Sequence, residues 1–230
     1  MSHDLHLTHG PIRLRPLTPD DAPRLRAIVD EASWAGMSTP LPETDAAMAE
    51  HLRELMGRPG LQAFAVERDG EFVGRTALYD PVPTVRVDVG HTVYARPVWG
   101  TEVNPACKLL LLGHAFEELG VARVGLRCDH RNTRSHRAIL RLGATFEGTL
   151  RAFRRAADGT VADADHFSVT APSGRPCGPV SRRGWGPEGG PTAAGWRPAT
   201  GPVKVGASRN ADIHLIIWMH VEHSVSGDSL

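Results

Sequence analysis

The sequence predicts a mixed α/β fold. Three observations carry this. Apolar residues recur at period two over 63–79 and 85–95, they recur at helical spacing over 43–56 and 104–119, and strand, helix and strand alternate twice after residue 85. Each element follows from local chemistry. Pro11–Pro16 alternates apolar and polar side chains, which reads as a short strand with Ile12 and Leu14 inward. Thr18-Pro19-Asp20-Asp21 opens a helix, with a capping hydroxyl, a proline suited to the first turn and two carboxylates at the positive dipole end. That helix carries Leu25, Ile28 and Val29 and fades near Trp34. A second runs from Glu43 to Met56 with Met48, Leu52, Leu55 and Met56 on one stripe.

Ala63–Arg68, Asp69-Gly70 and Phe72–Tyr79 predict a hairpin, because Asp-Gly between apolar runs favours a tight two-residue turn. Val85–Ala95 is a further strand with Gly90 as a site for a bulge. Asn104-Pro105 opens a long buried helix that Gly120 ends. Val121–Cys128 is apolar enough for the interior of a parallel sheet. A short helix follows from Ser135 to Gly143, then strands at 145–153 and 162–169 around Asp158-Gly159. Residues 1–10 are expected to be a flexible start and 11–171 the folded domain. From Pro172 to residue 230, Gly and Pro break every period, predicting an irregular or disordered tail that reads like a GC-rich gene in a shifted frame.

Composition narrows the function. Basic and acidic residues balance at 26 each, which argues against nucleic acid or an anionic membrane as partner. The three cysteines form no CxxC pair, as expected of a reduced cytoplasmic protein. No cationic segment followed by an apolar one marks a secretory signal, and no apolar run is long enough to span a bilayer. The twelve histidines show no HExxH, so no metal site is predicted.

The chemistry concentrates where the strand ending Val93-Tyr94-Ala95 passes through Arg96-Pro97-Val98-Trp99-Gly100-Thr101-Glu102-Val103 into the helix at Asn104. A loop feeding a helix N-terminus presents unpaired amides to an anion, and Gly100 lets the backbone approach it closely. Capping alone is the bland alternative for the same residues.

The stretch VGHTVYARPVWGTEVNPACKLLLLGHAFEELG resembles the acetyl-CoA-binding segment of GNAT acetyltransferases, with the Trp-Gly-Thr-x-x-Asn-x-x-x-Lys-Leu form of RimJ/RimL-like proteins. RVGLRCDHRNTRSHRAILRLGATFEGTLR resembles the later segment of that branch. The resemblance covers Pro11 to Ala171 and implies a mostly antiparallel sheet with a V-shaped split, flanked by helices. Acetyl-CoA would lie in the split, its pantetheine on the backbone of Val93 and Ala95. Its pyrophosphate would rest on the amides of Trp99, Gly100, Thr101, Glu102, Val103 and Asn104, with Arg96 adding charge. Asn132 matches an asparagine near the split; its bland reading is an Asx turn. Glu102 departs from the family, which places Gly or Ala there, and repels a pyrophosphate unless its side chain points to solvent.

Acyl transfer to an amine requires loss of the ammonium proton and protonation of the leaving thiolate. Asp88 matches an acidic strand position in the relatives and is the first candidate base, acting through water. His91 is second by its chemistry. Strict alternation puts these two on opposite faces unless Gly90 bulges. Ser135 matches the serine viewed as the thiolate's proton donor, and is equally a helix N-cap by composition. Trp34 and the Glu43 region are expected to border the acceptor site. The predicted activity is acetyl transfer from acetyl-CoA to a primary amine, on a protein N-terminus or a small molecule, by a monomer or homodimer. The alternative is an acyl-CoA-binding module without turnover.

Overall fold

The computed structural model describes residues 3–171. The expected tail, 172–230, lies outside the described residues. Eight strands form one sheet in the order β1-β2-β3-β4-β5-β6-β8-β7. They are β1 Leu7–His9, β2 Ile12–Pro16, β3 Gln62–Arg68, β4 Glu71–Val82, β5 Arg86–Tyr94, β6 Arg123–Asp129, β7 Thr145–Arg155 and β8 Val161–Thr170. The helices are α1 Ala22–Ile28, α2 Glu31–Trp34, α3 Asp45–Met56, α4 Val103–Gly113 and α5 Thr133–Arg141, with α4 running on as a π-helical turn, His114–Glu118. No described helix is long and apolar enough to cross a membrane.

The expected order holds with two differences: the helix expected from Thr18 toward Trp34 breaks at an extended Val29 (φ −112°, ψ 151°) into α1 and α2, and an extra strand precedes β2. Residues 7–9 lie in the segment expected to be flexible, yet they form β1, which folds back onto β2 through Gly10 at φ 55°. Leu7 is buried against Leu14, and His3 Nε2 lies 2.8 Å from the Ala63 carbonyl oxygen. Within the segment expected to be flexible, one buried leucine and one ladder thus hold residues 7–9 on the sheet.

Every neighbouring pair is antiparallel except β5 and β6. That exception follows from the β5–α4–β6 crossover, since α4 carries the chain back across the face. Val103 through Leu112 are almost all buried, with Val87, Val89 and Val124 of the sheet in the same cluster. The other face packs Ala65, Ala77, Tyr79 and Val93 beneath Leu25, Met48, Leu52 and Leu55 of α1 and α3. α5 packs Ile139 on Leu126 and Cys128, so by alternation it shares the α4 face.

The hairpin β3–β4 turns at Asp69 (φ 52°) and Gly70 (φ 84°), the two positive angles that a type I′ connection needs. Close packing of β4 on β5 depends on Gly74. A Cβ there would lie 2.3 Å from the Val93 carbonyl oxygen and 2.7 Å from the Tyr94 ring. Gly74→Ala is therefore expected to cost about 2–3 kcal/mol in urea unfolding, because backbone cannot yield as a side-chain tip can. An unchanged midpoint would show that β4 can move away.

Candidate active site

Strands β5 and β6 pair only from Arg86 opposite Arg123 to Val89 opposite Leu126. Beyond that point β5 pairs only with β4 and β6 only with β8, and the two strands part. The cause is local. Between Ala77–Gly90 and Arg75–Val93 the register against β4 gains one residue, and His91 takes φ 50°. This is the bulge expected at Gly90, and it bends β5 away from β6. A Cβ on Gly90 would lie 2.8 Å from the Tyr79 ring, so glycine lets the bulge sit down on that tyrosine.

The split opens a cleft of about 560 Å³ that passes between the faces of the sheet. Its walls include Trp99, Gly100, Asn104, Asn132, Arg134 and Ser135 beside α4 and α5. They also include Ser33, Met37, His51, Arg75, Tyr79 and His91 beside α2 and α3. One continuous space thus reaches groups from both helical layers.

At the α4 end, a turn of 3-10 helix at Arg96–Val98 leads into Gly100 at φ 76°. A Cβ on Gly100 would meet nothing within 4 Å, so the glycine answers to its backbone angle, not to crowding. Thr101 Oγ1 donates to the Val98 carbonyl at 2.8 Å and lies 3.4 Å from the Val103 amide, bracing the turn. Val103 is buried beneath it and begins the helix one residue earlier than expected. The first helical amides, of Val103 and Asn104, have no helix carbonyl one turn back, so they point their dipoles out of the helix start; Ala106 N–H already donates to the Glu102 carbonyl at 2.9 Å. Glu102, the residue that departs from the family pattern, is turned to Arg68 at 2.9 Å and half exposed. Its carboxylate does not line the cleft.

Two of the expected contacts meet other partners here. Arg96 donates from Nε to Asp30 Oδ2 at 2.6 Å, which ties the turn to α2 and keeps the guanidinium out of the cleft. The charge on the wall at this end is Arg134, stacked on the Trp99 ring at 3.4 Å from its centroid. Ala95 donates its N–H to the Val73 carbonyl at 2.9 Å, and its carbonyl accepts from Val98. Val93, two residues earlier, directs its backbone the same way, toward Arg75. The backbone groups facing the split therefore belong to Thr92 and Tyr94, one residue out of phase with the expectation. Tyr94 O accepts from the Trp99 indole at 2.9 Å on that side.

Asn132, not Ser135, caps α5: its Oδ1 accepts from the Ser135 amide at 3.0 Å. The Ser135 hydroxyl is thereby spared from capping; it lines the cleft and its hydrogen bond helps offset the burial that pushes the Cys128 thiol up to about 11. Behind it, Asp165 is fully buried, facing His136 Nδ1 at 2.7 Å and His130 Nδ1 at 2.8 Å and accepting from Thr149 at 2.7 Å. Cys128, His136 and Asp165 hold three donor atoms within 4.8 Å of one another, a grouping that no sequence spacing announced.

The bulge also decides the candidate bases. Val87 and Val89 face α4, so Asp88 faces the opposite layer beside its partner Tyr79. His91 packs edge-on against the same Tyr79 ring at 5.0 Å, so both candidates share one face. His91 lines the cleft; Asp88 sits one step back, with its carboxylate over Gly125, beside the wall residues Tyr79 and Arg127. Burial, then the charges of Arg75, Arg58 and Arg127, hold the His91 imidazole down at about 3. Burial raises the Asp88 carboxyl above the usual range, against the pull of Arg127 and Arg86. Lys108 is buried at the cleft wall, donating from Nζ to Thr92 Oγ1 at 2.8 Å, and burial pushes its ammonium down to about 8. Trp34 is core, its indole donating to the Thr39 carbonyl; Ser33 and Gly36 to Thr39 border the cleft while Glu43 does not.

Residues 12–145 match the family model described as an acetyltransferase (GNAT) domain. The chain belongs to the GNAT acetyltransferase family. Solved structures agree. An acetyltransferase from T. thermophilus is 35% identical, with a TM-score of 0.69, covering 74% of this chain and 91% of that one. A GCN5-related N-acetyltransferase from Brucella melitensis is 25% identical, with a TM-score of 0.66 and coverage of 73% and 79%. Mycobacterium smegmatis RimJ, solved with CoA-disulfide, is similar in fold at 21% identity and a TM-score of 0.62, covering 73% of this chain and 88% of that one. No curated protein sequence matches the chain.

Proposed function

We propose that this GNAT enzyme moves an acetyl group from acetyl-CoA to a primary amine by direct attack in a ternary complex, in the manner of the RimJ/RimL-like branch. The observation that carries the reading is the cleft through the β5–β6 split, which gives donor and acceptor separate approaches to one point. The amides from Gly100 to Asn104 and the stacked Arg134 suit a pyrophosphate. Backbone at Thr92 and Tyr94 suits the amides of pantetheine. Fixed amide dipoles and a held amine lower the barrier by positioning and by stabilising developing charge.

In this reading Asp88 takes the ammonium proton through water, and its raised pKa makes it a stronger base than an ordinary carboxylate. His91 stays neutral and shapes the wall. The Ser135 hydroxyl returns a proton to the thiolate. A non-catalytic CoA-binding module is the second reading, favoured by Asp88 lying one step behind the wall.

Thiol release from acetyl-CoA across a panel of amines, set beside calorimetric CoA binding, separates the two. Amine-dependent release supports the enzyme; CoA binding with no release for any amine supports the module. Arg134→Ala is expected to weaken CoA binding about tenfold, while Arg96→Ala changes it less than about twofold. Equal losses would mean that Arg96 leaves Asp30 to bind the ligand.

A further inference from the structure

The half of the cleft walled by α2, α3 and the 37–39 loop holds an excess of positive charge. Arg58, Arg75, Arg127 and Arg154 line it, and the carboxylate that shares the wall is Asp129. Arg131 already occupies that carboxylate as a fork, from Nε to Oδ1 and from Nη2 to Oδ2, both at 2.9 Å. Arg154 is spent on the Met37 carbonyl and Ser38, and reaches Asp129 only at 4.0 Å.

Arg75 and Arg127 are held in place without an ion pair among the described residues. Arg75 is 1% exposed. One terminal nitrogen lies 3.2 Å from His51 Nε2, but its Nε and Nη1 have no acceptor among the described residues. A guanidinium buried with donors unmet is costly unless an anion comes to it. Its face rests over the Trp34 ring, which holds the fork in place. Arg127 makes no ion pair among the described residues; Tyr79 and Phe153 hold its guanidinium between their rings, at 5.1 and 5.6 Å. Asp88 acts on Arg127 from beyond ion-pair distance.

We infer that the acceptor is a primary amine that also carries a carboxylate, with Arg75 and Arg127 as the specificity-determining residues that take the carboxylate. The inference rests on the acetyl-transfer reading and names its substrate class. A planar guanidinium held by aromatic stacking suits bidentate recognition of a carboxylate. The same cations disfavour an ammonium nearby, which promotes the neutral amine that must attack. A polyamine brings only positive charge to this wall and is rejected.

The test is calorimetry on the CoA-loaded full chain with matched pairs of free amino acids and their carboxamides, short peptides with acidic side chains and their amide counterparts, and spermidine. Thiol release is followed in parallel with acetyl-CoA. The acids are expected to bind about tenfold or more tightly than their amides, and Arg127→Gln, at an exposed position, is expected to erase that preference. Arg75→Lys, which keeps the charge but not the fork, is expected to reduce it. The free and peptide arms show which source of carboxylate fits. Preferred binding of acids without thiol release would keep the carboxylate site at Arg75 and Arg127 and remove the acetyl-transfer reading. Amides or spermidine binding as well as the acids, no binding of either, or a preference that survives Arg127→Gln in folded protein would overturn it.

Discussion

Asp88→Asn is expected to lower kcat about a hundredfold while CoA affinity stays within about twofold and the melting temperature holds or rises. The carboxylate lies on β5 two residues before Gly90, above Gly125, on the face it shares with Tyr79. Burial raises its pKa, and Arg127 and then Arg86, at 3.7 Å, only partly oppose that. The sign follows from the direction. A carboxyl raised in the folded state contributes stability below its unfolded pKa and loses that contribution as pH rises through the folded pKa. At neutral pH the ionised group is thus a net cost, which the neutral amide removes. The activity of the wild type should fall on acidification at a pH above the ordinary carboxylate range. Steady-state kinetics across about pH 5–9, with calorimetry and thermal melting, check all of this. Near-wild-type turnover would take Asp88 out of the mechanism, and a loss that tracks CoA binding or melting would make it structural.

Acid is expected to destabilise the protein well above the carboxylate range. Burial first, then Arg75 and Arg58, hold His51 at about 4, and the same causes with Arg127 hold His91 at about 3. Neutral His51 is also what its geometry requires, because Nε2 must accept from Arg75 at 3.2 Å. Unfolded histidine titrates near 6.5, so the unfolded chain binds these protons first. The stability from both groups is therefore complete above about pH 6.5 and drains as pH falls toward their folded values, by up to roughly 1.4 kcal/mol per pH unit for each. Asp21, Asp129 and Asp165, whose pKa values are lowered, contribute only to a later loss, below the usual carboxylate range. Melting temperature against pH checks the window. His91→Asn tolerates the positive φ and should flatten the slope by about one proton between roughly pH 6.5 and 4.5. An unchanged slope would mean that His91 is protonated in the fold without cost.

Much of this architecture is legible from residue order. The period-two runs, Asp69-Gly70 and the apolar stretch at 121–128 each encode a local conformation, and the structure places a strand, a turn and a parallel strand there. Gly90 announced the bulge, and the bulge put Asp88 and His91 on one face. What order does not encode is which partner a side chain meets. Arg96 finds Asp30 across 66 residues, so a charge read as a ligand contact is engaged elsewhere, and Glu102, whose carboxylate would repel a pyrophosphate, finds Arg68. The phase of β5 past the bulge shifts by one, which moves the free backbone from Val93 and Ala95 to Thr92 and Tyr94. Arg134 and Arg75 carried no sequence signal of their own; an aromatic plane from another element gives each its position.

We propose that the turn entering α4 and the free edge of β5 together hold a CoA thioester. Hydrogen exchange with and without CoA tests it most directly. Saturating CoA is expected to slow exchange at the amides from Gly100 to Asn104 and at Thr92 and Tyr94, and to leave β2 and β3 unchanged. Binding that protects other segments while these amides exchange as before would contradict it.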